Sequence, residues 1–257
     1  MGVRDLFDLT GKVAIVTGGG TGLGRQMADA LAELGASLVL CGRDGDRCAA
    51  AAGELAAAYG GAAVGVHCDV SQSDEVERMV AEATATFGRI DVLVNNAGTA
   101  WGAPAEETPL RGWQKVVDVN LTGVFLCAQA AGRVMIEAGG GSIVNIASVT
   151  GLRGSRPEVL DSIAYSATKG AVLAFTHDLA TKWARHGIRV NAIAPGWFAT
   201  DLSRTVIERS GETLLGAIPM GRLGGDTDLQ GAVAYLASPA SAYVTGHTLV
   251  VDGGFSA

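Results

Sequence analysis

The sequence predicts an α/β fold: one domain, residues 1–257, built on a doubly wound, seven-stranded parallel sheet with helices on both faces. Three observations predict it. Short apolar runs alternate with helical stretches along the whole chain. Several runs are continuously apolar rather than alternating, as strands buried on both faces must be. The 37 glycines gather at the ends of those runs, where turns and close approaches need them.

The expected strands are Val13–Thr17, Ser37–Cys41, Val64–His67, Ile90–Asn95, Ser142–Ser148, Arg189–Ala194 and Thr248–Asp252. Leu23–Leu34, Ala49–Tyr59, Asp74–Phe87, Trp113–Ala138, Ala164–His186 and Asp228–Leu236 lie between them, with a shorter helical stretch reaching about Arg209. They carry apolar residues three and four apart and read as helices. No linker, charge block or low-complexity tract divides the chain. At 257 residues it is long enough to bury a full core without staples.

With 19 basic and 26 acidic residues, the net charge is −7, which argues against nucleic acid and anionic membrane as partners. Mean hydropathy is +0.29, yet no run approaches the roughly 18 apolar residues of a membrane span. The opening Met1–Leu6 has no apolar signal core. Cys41, Cys48, Cys68 and Cys127 form no C-x-x-C and read as free thiols of a reducing compartment. His67, His177, His186 and His247 have no metal-ligand spacing, so no metal is expected. The expected location is cytoplasmic.

The first strand runs into Thr17-Gly18-Gly19-Gly20-Thr21-Gly22-Leu23-Gly24, where a helix begins. Gly18 permits a tight turn, Gly22 a close approach to a pyrophosphate, and Gly24 packing of helix on strand. The helix N-terminus then offers its free N–H groups to phosphate. This is a dinucleotide site of Rossmann type, with Gly20, Thr21 and Leu23 in the same loop.

The spacing T-G-x-x-x-G-x-G resembles the classical branch of the short-chain dehydrogenase/reductase family. Further motifs follow in order: Asn95-Asn96-Ala97-Gly98, the pair Tyr165 and Lys169 four apart, Pro195-Gly196, and Val251-Asp252-Gly253-Gly254. The resemblance spans residues 9 to 254. It implies a catalytic tetrad of Asn120, Ser148, Tyr165 and Lys169. It also implies cofactor contacts at Asp69 and Val70 (adenine), at Asn96, Ala97 and Gly98, at Pro195 and Gly196 along the nicotinamide, and at Thr200 (carboxamide). Among family members, the two ends of the chain are similar to gluconate 5-dehydrogenases and to 3-oxoacyl reductases. Members are usually tetramers, so a homotetramer is implied.

The chemistry follows from residue types. Reduction of a ketone needs a proton for the developing alkoxide. Tyr165 is the expected acid, and base in the reverse direction, its pKa lowered by the Lys169 ammonium and the positive nicotinamide ring. Ser148 polarises the carbonyl. Lys169 also holds the nicotinamide ribose, and the family role of Asn120 is to anchor a proton-relay water. For the cofactor, the position where an acid would take the NAD ribose is vacant after Cys41-Gly42, and Arg43 follows. Arg43 suits a 2′-phosphate and hence NADP. Asp44 beside it and Thr21 in the glycine loop leave NAD open.

The expected substrate is a small-molecule ketone or secondary alcohol. A sugar acid such as gluconate is the first candidate and a 3-oxoacyl thioester the second. Arg153, Arg156 and Arg204 read as solvated, or as partners of a carboxylate or a phosphate on the substrate, and Trp101, Trp197 and Phe198 offer apolar wall. Trp113 and Trp183 read as core. The Ser148–Tyr165 segment is longer than the family pattern, which puts any borrowed substrate in doubt. An alternative of another class is a nucleotide-sensing protein without catalysis.

Overall fold

The computed structural model describes residues 2–257; Met1 lies outside the described residues. Seven parallel strands form one sheet in the order β3-β2-β1-β4-β5-β6-β7. They are β1 Val13–Thr17, β2 Ser37–Gly42, β3 Ala63–His67, β4 Val92–Asn95, β5 Gly141–Ile146, β6 Ile188–Pro195 and β7 Thr248–Val251. The helices are α1 Gly22–Glu33, α2 Gly45–Tyr59, α3 Ser73–Phe87, α4 Leu110–Val117, α5 Gly123–Glu137, α6 Ile163–Trp183, α7 Arg204–Ala217 and α8 Gln230–Ala237.

Helices cover both faces. Met27 and Leu31 of α1, Leu55 of α2 and Leu236 of α8 pack on one side with Val16 and Leu40. Met79 of α3, Met135 of α5 and Ala180 of α6 pack on the other with Ile15 and Leu93. The central strands β1, β4 and β6 are buried along almost their whole length, which accounts for their unbroken apolar sequence.

The strand order reverses between β1 and β4, which pair directly. At such a switch point the crossovers leave to opposite faces and open a crevice beyond the strand carboxyl ends. The glycine loop, the turn after β4, Ser148 after β5 and Pro195-Gly196 ending β6 all emerge at that edge.

Three expectations change. The helix expected from Trp113 begins at Leu110 and is interrupted by a π-helical turn over Asp118–Thr122. The helix expected to end near Arg209 continues to Ala217, with Ser210 out of helical geometry. By length and composition the joined helix Leu110–Glu137 matches a membrane span, a test that a buried core helix also passes. Half of its most apolar stretch is buried on the sheet. Charges within the helix hide that tract from a search for uninterrupted apolar residues. Trp113, expected in the core, lies on its outer face, 36% exposed with Leu110 and Phe125.

Candidate active site

A cavity of about 730 Å³ occupies the crevice. Its lining includes Gly18, Thr21, Gly22, Leu23, Arg43, Asn96, Ala97, Gly98, Ser148, Tyr165, Lys169, Pro195, Gly196 and Thr200. The fold thus brings most of the sequence-predicted residues, from both ends, into one space.

At one end, Gly18 and Gly22 have φ of +64° and +54°, a region that L side chains rarely adopt. Gly24 is held by a different constraint. A Cβ there would sit 2.2 Å from the Gly18 carbonyl oxygen. The Thr21 side chain makes no capping bond to the first turn of α1, so the leading N–H groups keep their capacity for a phosphate. Thr17 and Asn96 hold the loop in place. The N–H groups of Asn96 and Ala97 both donate to Thr17 Oγ1 at 2.9 Å, and Asn96 Nδ2 donates to the Thr17 carbonyl at 2.9 Å. The backbone cradle, the helix N-terminus and the cavity together fit a dinucleotide.

Arg43 is exposed at the cavity edge. Asp44, which left NAD open in the sequence, is turned into its own helix: its carboxylate accepts from the Arg47 N–H at 3.0 Å and pairs with the Arg47 guanidinium at 3.5 Å. It acts as the N-cap of α2.

At the other end, Ser148 follows β5, and Tyr165 and Lys169 project from α6. Lys169 is 4% exposed, and its Nζ donates to the Ile146 carbonyl at 2.6 Å. Burial pushes its pKa down to about 8. Burial also pushes the Tyr165 hydroxyl up, opposed by the Ser148 hydroxyl. Both groups share one desolvated wall, and desolvation penalises each charged form. Lys169 Nζ lies 5.6 Å from the Tyr165 ring centroid.

Asn120 sits in the π-helical turn, fully buried. Its Oδ1 accepts from Thr99 N–H at 2.8 Å; its Nδ2 donates to the Thr99 carbonyl at 2.9 Å and to Thr168 Oγ1 at 3.2 Å. The amide therefore ties the turn after β4 to α6. Asn120 does not line the cavity, and neither do Gly20, Gly24, Asp69 and Val70. Gly20 faces Cys48, Gly24 packs beneath the loop, and Val70 packs on Gly123. The Asp69 carboxylate accepts from Ser71 N–H at 3.0 Å and Ser71 Oγ at 2.8 Å.

The three arginines also stand outside the lining. Arg204 pairs with Asp201, Arg153 lies over the Phe255 ring at 4.2 Å, and Arg156 is exposed. Trp101 packs on Gly112, within 5.9 Å of both Arg111 and Lys115. The substrate-side wall is instead largely apolar, with Val149, Leu160, Trp197, Leu202 and Val206.

Residues 18–256 match the family model described as enoyl-(acyl carrier protein) reductase. The chain is also 42% identical to galactitol 2-dehydrogenase (L-tagatose-forming) of Cereibacter sphaeroides, over 100% of this chain and 99% of that protein. The chain belongs to the short-chain dehydrogenase/reductase family. A second relative of this family, 3-oxoacyl-[acyl-carrier-protein] reductase of Synechocystis sp., is 40% identical over 96% of this chain and 97% of its own. Among solved structures, gluconate 5-dehydrogenase of Burkholderia cenocepacia in complex with NADP and tartrate superposes with a TM-score of 0.93 at 40% identity, covering 99% of both chains.

Sequence reasoning missed several site residues. Within this short-chain dehydrogenase/reductase fold, Thr17 anchors the turn after β4, and Leu160 and Val206 bring two separate segments to the cavity wall. Thr17 was legible as the polar end of a buried strand. Leu160 and Val206 were not singled out: the loop and the helical stretch that carry them were expected near the substrate, but which of their side chains reach the wall has no local mark.

Proposed function

We propose that this chain is an NADP(H)-dependent oxidoreductase that interconverts a secondary alcohol and a ketone. The observation that carries the reading is convergence: Ser148, Tyr165 and Lys169, from two segments, share one cavity with the glycine loop and Arg43. The relative crystallised with NADP supports the cofactor, as does the capped carboxylate of Asp44 beside Arg43.

When bound, the nicotinamide supplies or accepts the hydride. Tyr165 holds the proton that the carbonyl oxygen receives in reduction. Ser148 Oγ supplies the second hydrogen bond to that oxygen. Lys169, anchored on Ile146, presents a cation to the ribose side, and Asn120 holds Thr99 and Thr168 in register around it.

Residues 1–257 act as one domain in this reading. The exposed apolar row Leu110, Trp113 and Phe125 supports a homotetramer built partly on α4 and α5. Four free, buried cysteines support a reducing, cytoplasmic setting. The polyol and sugar-acid relatives support a polyhydroxylated substrate, the 3-oxoacyl relative an acyl thioester.

The test is NADPH and NADH oxidation against keto-sugar acids, acetoacetyl thioesters, and cyclic and linear ketones, with Tyr165→Phe as the blank. Turnover should fall by about 10²–10⁴ in the variant, with cofactor binding intact. Cofactor binding without tyrosine-dependent turnover on any of them would return the nucleotide-sensing alternative.

A further inference from the structure

Two residues beyond Ser148, a second hydroxyl stands at the cavity: Thr150, 8% exposed. It belongs to the short turn Val149–Gly151 that follows β5. Its backbone N–H donates to Ser148 Oγ at 3.2 Å, and its side-chain hydroxyl donates to the same oxygen at 3.0 Å. A hydroxyl oxygen has two lone pairs and one proton. Thr150 therefore fills both acceptor positions of Ser148, and the Ser148 proton is left to point elsewhere. The Ser148 hydroxyl opposes the upward push of burial on Tyr165, as a donor to the tyrosine oxygen does.

The turn that carries Thr150 is held on both sides. The Gly151 N–H donates to the Ser148 carbonyl at 3.0 Å, and the Leu152 N–H to the Val149 carbonyl at 3.1 Å. A Cβ at Gly151 would sit 2.6 Å from the Lys169 backbone, so the turn rests directly on α6, one helical turn beyond Tyr165. On the sheet side, the Ala147 N–H donates to the Ile193 carbonyl of β6 at 2.8 Å.

We propose that Thr150 is a positioning residue for the reaction: by filling both lone pairs of Ser148 Oγ, it aims the Ser148 proton at the carbonyl oxygen of the substrate. This rests on the ketone-reductase reading above and adds a residue to it. A serine hydroxyl without such bonds rotates among its staggered positions. The carbonyl oxygen gains negative charge as the hydride arrives, so a donor already aimed at it is worth more in the transition state than in the bound ketone. Bonds in a chain also polarise one another, so the Thr150 bonds strengthen Ser148 as a donor. The role of Thr150 is exercised through Ser148 and falls on kcat.

NADPH oxidation with 5-keto-gluconate, L-tagatose and acetoacetyl-CoA tests this. The proteins are the parent, Tyr165→Phe, Thr150→Val, Thr150→Ser, Ser148→Ala, and Ser148→Ala combined with Thr150→Val. Valine keeps the shape and the backbone N–H but loses the hydroxyl. On the ketone that the parent reduces, kcat of Thr150→Val should fall about three- to tenfold, the weight of one hydrogen bond. KM and NADPH affinity should hold. Thr150→Ser returns the hydroxyl and should recover most of the rate. In the Ser148→Ala background, Thr150→Val should cost nothing further, because the group it acts through is gone.

An equal loss in both backgrounds would mean that Thr150 meets the substrate itself or only packs, and would overturn the proposal. Parental kcat in Thr150→Val would overturn it too, as would a Thr150→Ser enzyme no faster than the valine variant. A parent without Tyr165-dependent turnover of any of these ketones would instead bring down the site reading, and the proposal with it, before any Thr150 variant is compared.

Discussion

The nucleotide end and the substrate end of the cavity are built on different principles. The nucleotide end is made of backbone. Gly18, Gly22 and Gly24 sit where a side chain is either strained or impossible, and Thr17 and Asn96 stitch the loop to β4. The substrate end is made of side chains from distant segments. Val159 and Leu160 of the long loop after Ser148 meet Val206 and Ile207 of α7 and Phe255 of the C-terminal turn. The loop is fastened to α7 by few bonds, such as Ser210 Oγ donating to the Glu158 carbonyl at 2.9 Å. A backbone site specifies what all such enzymes share. A side-chain site is free to differ.

Substitutions can break that contrast, the largest effect first. In Gly24→Ala the new methyl would meet the Gly18 carbonyl oxygen at 2.2 Å, and that oxygen is backbone and cannot swing away. NADPH affinity should fall about 10²-fold through misplacement of the loop, and stability by about 1–3 kcal/mol. Titration calorimetry and thermal unfolding read both. Unchanged affinity would show the loop to be more tolerant than its packing implies.

Lys169→Met tests the boundary between the two ends. Activity should drop to the Tyr165→Phe level. Stability at pH 7 should rise by about 1–2 kcal/mol, because a buried ammonium is replaced by an apolar chain. The pH dependence carries the sign. The folded pKa is held at about 8 against an ordinary 10.5, so the folded state binds fewer protons than the unfolded between those values. Parent stability should therefore gain from rising pH across that window and lose that gain as pH falls through about 8. The variant should lack this part of the slope. Urea unfolding at pH 7 and 9.5 measures it.

Arg43→Ala sharpens the cofactor assignment. Loss of charge-assisted bonds should raise KM for NADPH about tenfold or more and leave NADH nearly unchanged. Equal effects on both would mark Arg43 as a solvated loop residue.

The smallest effect is at Gly154, in the substrate loop. A Cβ there meets nothing within 4 Å, and its φ is not positive. Gly154→Ala should therefore stabilise by about 0.4–1 kcal/mol through the unfolded chain, with kcat/KM unchanged. A loss of the size seen at Gly24 would show that the substrate loop is as tightly specified as the glycine loop.

Much of this was legible in the residues. The alternation of continuous apolar runs with helical periodicity specified a parallel sheet, because a strand covered on both faces has no polar side to show. The glycine spacing, Tyr165 with Lys169 and Ser148 at a strand end located the cavity, because these are local patterns: turns, an i,i+4 pair, a strand terminus. The fold class and the family followed from them.

What the chain order could not carry was decided by tertiary packing. Burial set the pKa directions of Tyr165 and Lys169, since desolvation depends on everything around a group and not on its neighbours in sequence. The π-helical turn placed Asn120 against Thr99 and Thr168. The arginines weighed for a carboxylate or a phosphate lie outside the cavity lining, paired, stacked or in solvent. These outcomes depend on which distant segments meet, and an apolar or charged residue in a loop carries no local mark of its future neighbour.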